Sequence, residues 1–170
     1  MKTHKVKPFV LLINGPIGAG KTTLASYLKK KLPNKTVFLD MDIIKYFINS
    51  FQKNISYHNL TRRVMIDMIN SYIAKNINVV ISSSWTVVLI KELKIKIGKI
   101  NYIHLFLKTK LENSIKRARS RKKCRTIRDI KKNCLRYSAP KFKDAIFIDA
   151  NKKIPAVRKD VMKILKGKII

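Results

Sequence analysis

Short runs of consecutive apolar residues alternate along this chain with longer stretches in which apolar positions recur every three or four residues. Five of the short runs read as strands: residues 8 to 14, 36 to 40, 78 to 83, 101 to 107 and 145 to 149. Their centres are apolar at successive positions, the pattern of strands covered on both faces. The intervening stretches read as helices. One runs from Thr22 to about Lys31 and stops before Pro33; another follows Asp42 to about Ser50; a longer one follows Thr61, with Val64, Met68 and Tyr72 four apart. Thr109 with Glu112, and Thr126 with Asp129, fit the capping box, so each predicts a helix start. The last helix begins near Pro155, turns Val157, Val161 and Ile164 inward and ends before Gly167. Strands and helices in alternation predict an α/β domain, a parallel sheet with helices on both faces.

The first strand leads straight into the feature that fixes the chemistry. Residues 15 to 22 read Gly-Pro-Ile-Gly-Ala-Gly-Lys-Thr, a full match to G-x-x-x-x-G-K-[ST], directly after Phe9-Val10-Leu11-Leu12-Ile13. Backbone N–H groups here must turn inward onto phosphate oxygens, which Gly15, Gly18 and Gly20 permit; Pro16, Ile17 and Ala19 complete the loop. Lys21 brings a point charge to the outer phosphates and Thr22 a hydroxyl to a magnesium ion. The helix opening at Thr22 and Thr23 aims its positive end at the same anion. The segment is expected to bind a nucleoside triphosphate with Mg2+.

Length and composition narrow the setting. A chain of 170 residues with 46% hydrophobic content supports one domain around one core. Lys2, Lys5 and Lys7 before an apolar stretch imitate a secretion signal, but the supposed cleavage region is the phosphate loop itself. No run approaches the ~18 apolar residues of a membrane span, so a soluble, cytoplasmic protein without a membrane partner is expected. Cys124 and Cys134 lack C-x-x-C spacing and predict neither a zinc site nor a disulfide. The net charge of +30 has two sources open to it, a polyanionic partner such as nucleic acid or a basic composition with no target. Abundant Lys, Ile and Asn favour the second, whereas the scarcity of glutamates, Glu92 and Glu112 alone, favours the first. Monomer and homodimer are both compatible with the sequence.

Leu39-Asp40-Met41-Asp42-Ile43-Ile44-Lys45 closes the second strand and enters a helix, placing both carboxylates at the carboxyl edge of the sheet, where open α/β sheets bind ligands. Residues two apart at a strand end face one side, so Asp40 and Asp42 are placed to share a magnesium ion and a substrate hydroxyl. The plainer alternative has Asp42 capping the helix and Asp40 merely ending the strand.

With these residues the chain resembles the P-loop kinases of small hydroxyl compounds and nucleotides, the group containing gluconate, adenylylsulfate, shikimate and polynucleotide 5′-hydroxyl kinases. Leu39 to Lys45 looks like the Leu-Asp-Gly-Asp-x-x-Arg segment of the adenylylsulfate enzymes, with Lys45 in place of arginine. Val79-Val80-Ile81-Ser82-Ser83-Ser84 looks like the third-strand exit of gluconate and shikimate kinases. The resemblance covers most of the chain. It implies a three-layer P-loop NTPase fold over residues 1–170 as a single kinase domain, ATP as the nucleotide, Asp42 as base for the acceptor hydroxyl and Asp40 in the magnesium shell. Three departures leave the acceptor open: no acid ends the third strand, Ser82 to Ser84 replace the shikimate glycines, and Lys45 cannot make a bidentate arginine contact.

Further candidates flank this edge. Arg62 and Arg63 fit either an acceptor contact or a solvated helix face, and Tyr57, His58 and Trp85 fit either stacking on a ring or ordinary packing. Residues 116 to 132 form the densest cationic run. In related kinases this region, about 110–138, is a lid, and Arg117-x-x-x-Arg121 looks like its arginine pair, sharing a helical face with Arg125; Arg136 follows as a weaker candidate. Such arginines stabilise charge on the transferred group and exclude water. The expected function is transfer of the γ-phosphoryl group of ATP to a hydroxyl or phosphate of a small acceptor. A 5′-hydroxyl kinase of nucleic acid and a nucleic-acid-binding ATPase are the alternatives.

Overall fold

The structure is a computed structural model that describes residues 7–47, 55–120, 126–138 and 142–169. Five strands form one parallel sheet: β1 (Phe9–Asn14), β2 (Thr36–Leu39), β3 (Asn78–Ser82), β4 (Asn101–Lys108) and β5 (Ile146–Asp149), in the order β2-β3-β1-β4-β5. Each lies within a residue or so of its predicted run. β1 is central, with Leu11 opposite Val80 on one side and Ile103 on the other, and all six of its residues are buried.

The helices are α1 (Lys21–Leu28), α2 (Met41–Lys45), α3 (Ile55–Ala74), α4 (Val87–Ile97), α5 (Leu111–Arg119), α6 (Ile127–Ser138) and α7 (Ile154–Lys166). Side chains alternate across a strand, so β1 feeds two cores. Leu11 and Ile13 pack with Leu24 and Leu28 of α1 and Val161 and Leu165 of α7. Val10 and Leu12 face the other way, with Met65 and Ile69 of α3 and Leu89 and Leu93 of α4. The result is the expected three-layer P-loop NTPase architecture.

Three local expectations are corrected. α3 begins at Ile55, ahead of Thr61, and its innermost stripe is Met65, Ile66 and Ile69; Val64 is 38% exposed because the helix meets the sheet on the adjoining face. α2 ends at Lys45 and turns out at Tyr46 and Phe47, both exposed; residues 48–50 of the predicted helix lie outside the described residues. Thr109 and Glu112 make no capping box. Asn151 serves α5 instead, its Oδ1 accepting the Lys110 N–H at 2.8 Å and an Nδ2 hydrogen of Asn113 at 3.0 Å. In α7, Val157, Val161 and Ile164 face the core as expected, and Leu165 joins them fully buried. The second predicted start does hold: Thr126 caps α6, its Oγ1 accepting the Asp129 N–H at 3.1 Å and donating to the Asp129 carboxylate at 2.8 Å.

Candidate active site

β1 ends at Asn14 and the chain turns through residues 15 to 20 into α1. Gly18 has φ +78° and packs so tightly on α5 that a Cβ there would lie 2.5 Å from the Ser114 carbonyl oxygen. The loop is thus pressed onto a neighbouring helix as well as bent. From α6, Asn133 Oδ1 accepts the Ile17 N–H at 2.8 Å. Lys21 lies back across the loop, its Nζ donating to the carbonyls of Gly15 at 3.0 Å and Pro16 at 2.9 Å.

The edge facing the loop is built by α2 and the exit of β3. Asp40 is the N-cap of α2, its Oδ1 accepting the Asp42 N–H at 2.9 Å. The sequence alternative that made Asp42 the cap is therefore reversed, because Asp42 stands inside the first turn. Burial raises the Asp40 carboxyl above its ordinary range; the Asp42 N–H opposes this, the Asp42 charge adds to it, and Lys21 and Lys45 pull it back down. The exposed Asp42 carboxylate pairs with Lys45 Nζ at 2.8 Å. At the β3 exit, Ser84 Oγ donates to the Gly15 carbonyl at 2.8 Å, tying the serine run to the phosphate loop.

A cavity of about 300 Å³ joins these parts. Lys21, Thr22, Asp40 and Asp42 line it together, with Ser82 to Ser84 behind them. Arg62 from α3 and Arg136 from α6 also line it, and neither pairs with a carboxylate among the described residues. Burial raises the Tyr137 hydroxyl beside them, while the charges of Arg136 and Arg62 and a hydrogen bond with Ser84 pull it down. A second cavity of about 280 Å³ lies across the loop and shares Gly18 and Gly20 as its wall. Thr23, Leu24 and Leu107 line it, with Arg117, Lys152 and Arg158.

The phosphate loop, Asp40, Asp42 and Lys45 are thus brought together in one cavity, and Arg62, for which the sequence left two roles open, lines it with them. Arg117 instead lines the second cavity, where its Nη1 donates to the Ala150 carbonyl at 2.9 Å. Arg121 and Arg125 lie outside the described residues, as does the side chain of His58. Trp85 is core, with 0% exposure. Asn133 and Tyr137 were not marked by the sequence, because each acts from a distant helix through a single polar atom.

Among the described residues no group of three or more His, Cys, Asp or Glu is assembled to hold a metal alone. The oxygens of Thr22 and Asp40 in one cavity fit a hard cation that arrives with its phosphates, since Mg2+ is commonly held by one or two protein oxygens plus substrate. Nor is any described helix long and apolar enough to cross a membrane.

The sequence matches the family described as AAA domain over residues 11–137. No curated protein matches the chain. Solved structures with the same fold include a sugar kinase from Janibacter sp. HTCC2649, 14% identical over 94% of this chain and 95% of that one, with a TM-score of 0.73. A gluconokinase from Sinorhizobium meliloti 1021 is 10% identical over 95% and 93%, with a TM-score of 0.72. A chain of the Pnkp1/Rnl/Hen1 RNA repair complex is 16% identical over 81% of this chain, with a TM-score of 0.68, and this chain spans only 46% of it. With the phosphate loop inside the matched region, the chain belongs to the AAA domain family and has the fold of the P-loop kinases.

Proposed function

We propose that the protein is an ATP-dependent phosphotransferase that moves the γ-phosphoryl group onto a hydroxyl or phosphate of a small-molecule or nucleotide acceptor. The observation that carries this reading is the single cavity in which Lys21 and Thr22 face Asp40 and Asp42. Phosphoryl transfer requires little of a protein beyond positioning and charge, and this cavity holds the groups for both. The loop N–H groups and the N-terminus of α1 hold the phosphates, and phosphate oxygens compete with the Gly15 and Pro16 carbonyls for the Lys21 ammonium. Thr22 and Asp40 would hold Mg2+, which would neutralise charge along the phosphates. Asp42 orients the acceptor hydroxyl and takes its proton, with Lys45 fixing the carboxylate.

Arg62 and Arg136 supply positive charge on the acceptor side of the cavity, which favours an acceptor that itself carries an anionic group. Arg117 serves the nucleotide from the second cavity, and Arg121 is its proposed lid partner. The test follows γ-labelled phosphate from ATP with Mg2+ in the presence of D-gluconate, nucleosides, nucleoside monophosphates or a short 5′-hydroxyl RNA. The expected result is label on an acceptor, lost by a factor of about 100 or more in Asp42→Asn while ATP binding persists. Free phosphate released at equal rates by both proteins would sink the transferase reading.

The net charge of +30 favours one particular acceptor, the 5′-hydroxyl end of a nucleic acid. Transfer to RNA should then weaken steeply with salt, with a log–log slope of about −0.7 for each phosphate contacted on a single strand. A flat salt response removes this second reading and leaves the first.

A further inference from the structure

The side chain of Asn14, the last residue of β1, is buried and uses its full hydrogen-bonding capacity. Its Oδ1 accepts the backbone N–H groups of Gly15 at 2.8 Å and Trp85 at 2.9 Å. Its Nδ2 donates to the Trp85 carbonyl at 3.0 Å and lies 3.2 Å from His104 Nε2 on β4. A primary amide has two donor hydrogens and two acceptor lone pairs, so nothing is left over. The geometry also assigns the imidazole, with Nε2 the acceptor and the proton on Nδ1. His104 is 3% exposed, and burial with the Lys94 charge, opposed by Asp144, pushes it down to about 4, which keeps it neutral.

Gly15 opens the phosphate loop, and Trp85 follows the serine run that backs the acceptor cavity. One amide therefore spans the two halves of the site. The same junction is laced by Ser84 Oγ on the Gly15 carbonyl and by the Ser83 N–H on the Ile13 carbonyl at 3.2 Å.

We propose that Asn14 is a positioning residue: held by neutral His104, its amide sets the first glycine of the phosphate loop against the exit of β3. No aliphatic side chain satisfies any of the four groups it serves. An Asn14→Asp carboxylate would keep both N–H partners but present an acceptor to the Trp85 carbonyl. The proposal goes beyond the transferase reading and needs only that the loop binds nucleotide.

Calorimetric titration of ADP with Mg2+ into the native chain and its variants tests it. His104→Phe removes the acceptor beneath Asn14 Nδ2, whereas His104→Gln offers an amide oxygen in its place. ADP should bind about three- to tenfold more weakly to His104→Phe and within about twofold of native to His104→Gln. Asn14→Asp should lose more than His104→Phe, because it sets a carboxylate against the Trp85 carbonyl, and no tautomer of His104 relieves that pair of acceptors. A purely structural role would lower the unfolding temperature and leave ADP affinity untouched, and that result overturns the proposal. Should Asn14→Asp fail to fold, the His104 pair decides alone. A native chain that binds no ADP overturns the nucleotide reading as well; native binding with indifferent variants overturns this proposal only.

Discussion

The carboxylate of Asp40 accepts the backbone N–H of Asp42 at 2.9 Å, so one acid of the site holds the turn that presents the other. That cap comes at a cost, since burial raises the Asp40 carboxyl above its ordinary range. A folded-state carboxyl that holds its proton more tightly than the unfolded one stabilises the fold only at low pH. The benefit is lost as pH rises past the ordinary carboxylate range, and at neutral pH the ionised group opposes folding.

Asp40→Asn keeps a cap-competent oxygen and removes that charge. Without nucleotide, the variant should melt above the native protein at pH 7. Its affinity for nucleotide should fall tenfold or more when Mg2+ is present and about twofold or less when it is absent. Thermal unfolding and titration with and without Mg2+ measure both. A variant that melts lower and responds to Mg2+ as native does would remove Asp40 from the metal's surroundings.

Arg62→Gln and Arg136→Gln should raise the acceptor KM by about tenfold or more each while changing the KM for ATP by less than about threefold. Steady-state kinetics with the acceptor identified by label transfer gives both numbers. Equal effects on the two substrates would place these arginines on the nucleotide instead.

Gly18 and Gly20 both stand at positive φ, +78° and +95°, but their surroundings differ. An alanine at 20 meets nothing within 4 Å and should cost about 1–2 kcal/mol from the backbone alone. At 18 the added carbon overlaps the Ser114 carbonyl at 2.5 Å, so Gly18→Ala should cost clearly more and separate α5 from the loop. Urea unfolding of the two variants, compared side by side, checks the order.

His104, neutral and pushed down to about 4, should make the fold sensitive to acid. The unfolded chain takes up the proton near pH 6.5 and the folded chain does not. Stability from this residue is therefore complete above about 6.5 and declines as pH falls toward 4, by at most about 1.4 kcal/mol per pH unit. Unfolding curves between these limits should be flatter with pH in His104→Gln.

The strands and the phosphate loop were legible because each depends on a contiguous segment: Phe9 to Asn14 is apolar enough to be covered on both faces, and Gly15 to Thr22 carries its motif within eight residues. The edge facing that loop was half legible. Asp40 and Asp42 were marked by their spacing, but which of them caps the helix depends on where the turn begins, and that is decided by packing of Met41 and Ile44. α4 went unnamed although Ile90, Leu93 and Ile97 carry a helical period that ends at Gly98. The contributions of Asn14, Asn133, Tyr137 and Asn151 were invisible, because each meets a partner far away in the chain, as Asn133 does with Ile17.

β1 lies at the centre of the sheet and β2 at its rim. The phosphate-binding turn therefore grows from the least accessible strand, while the acids that face it grow from an edge strand three of whose four residues are only half-buried. Beyond Asp42 the chain soon reaches Tyr46 and Phe47, exposed at 70% and 72%. A change at Tyr46 or Phe47 therefore meets open space, whereas a side chain added at Gly15 would run into the Leu107 carbonyl at 2.7 Å.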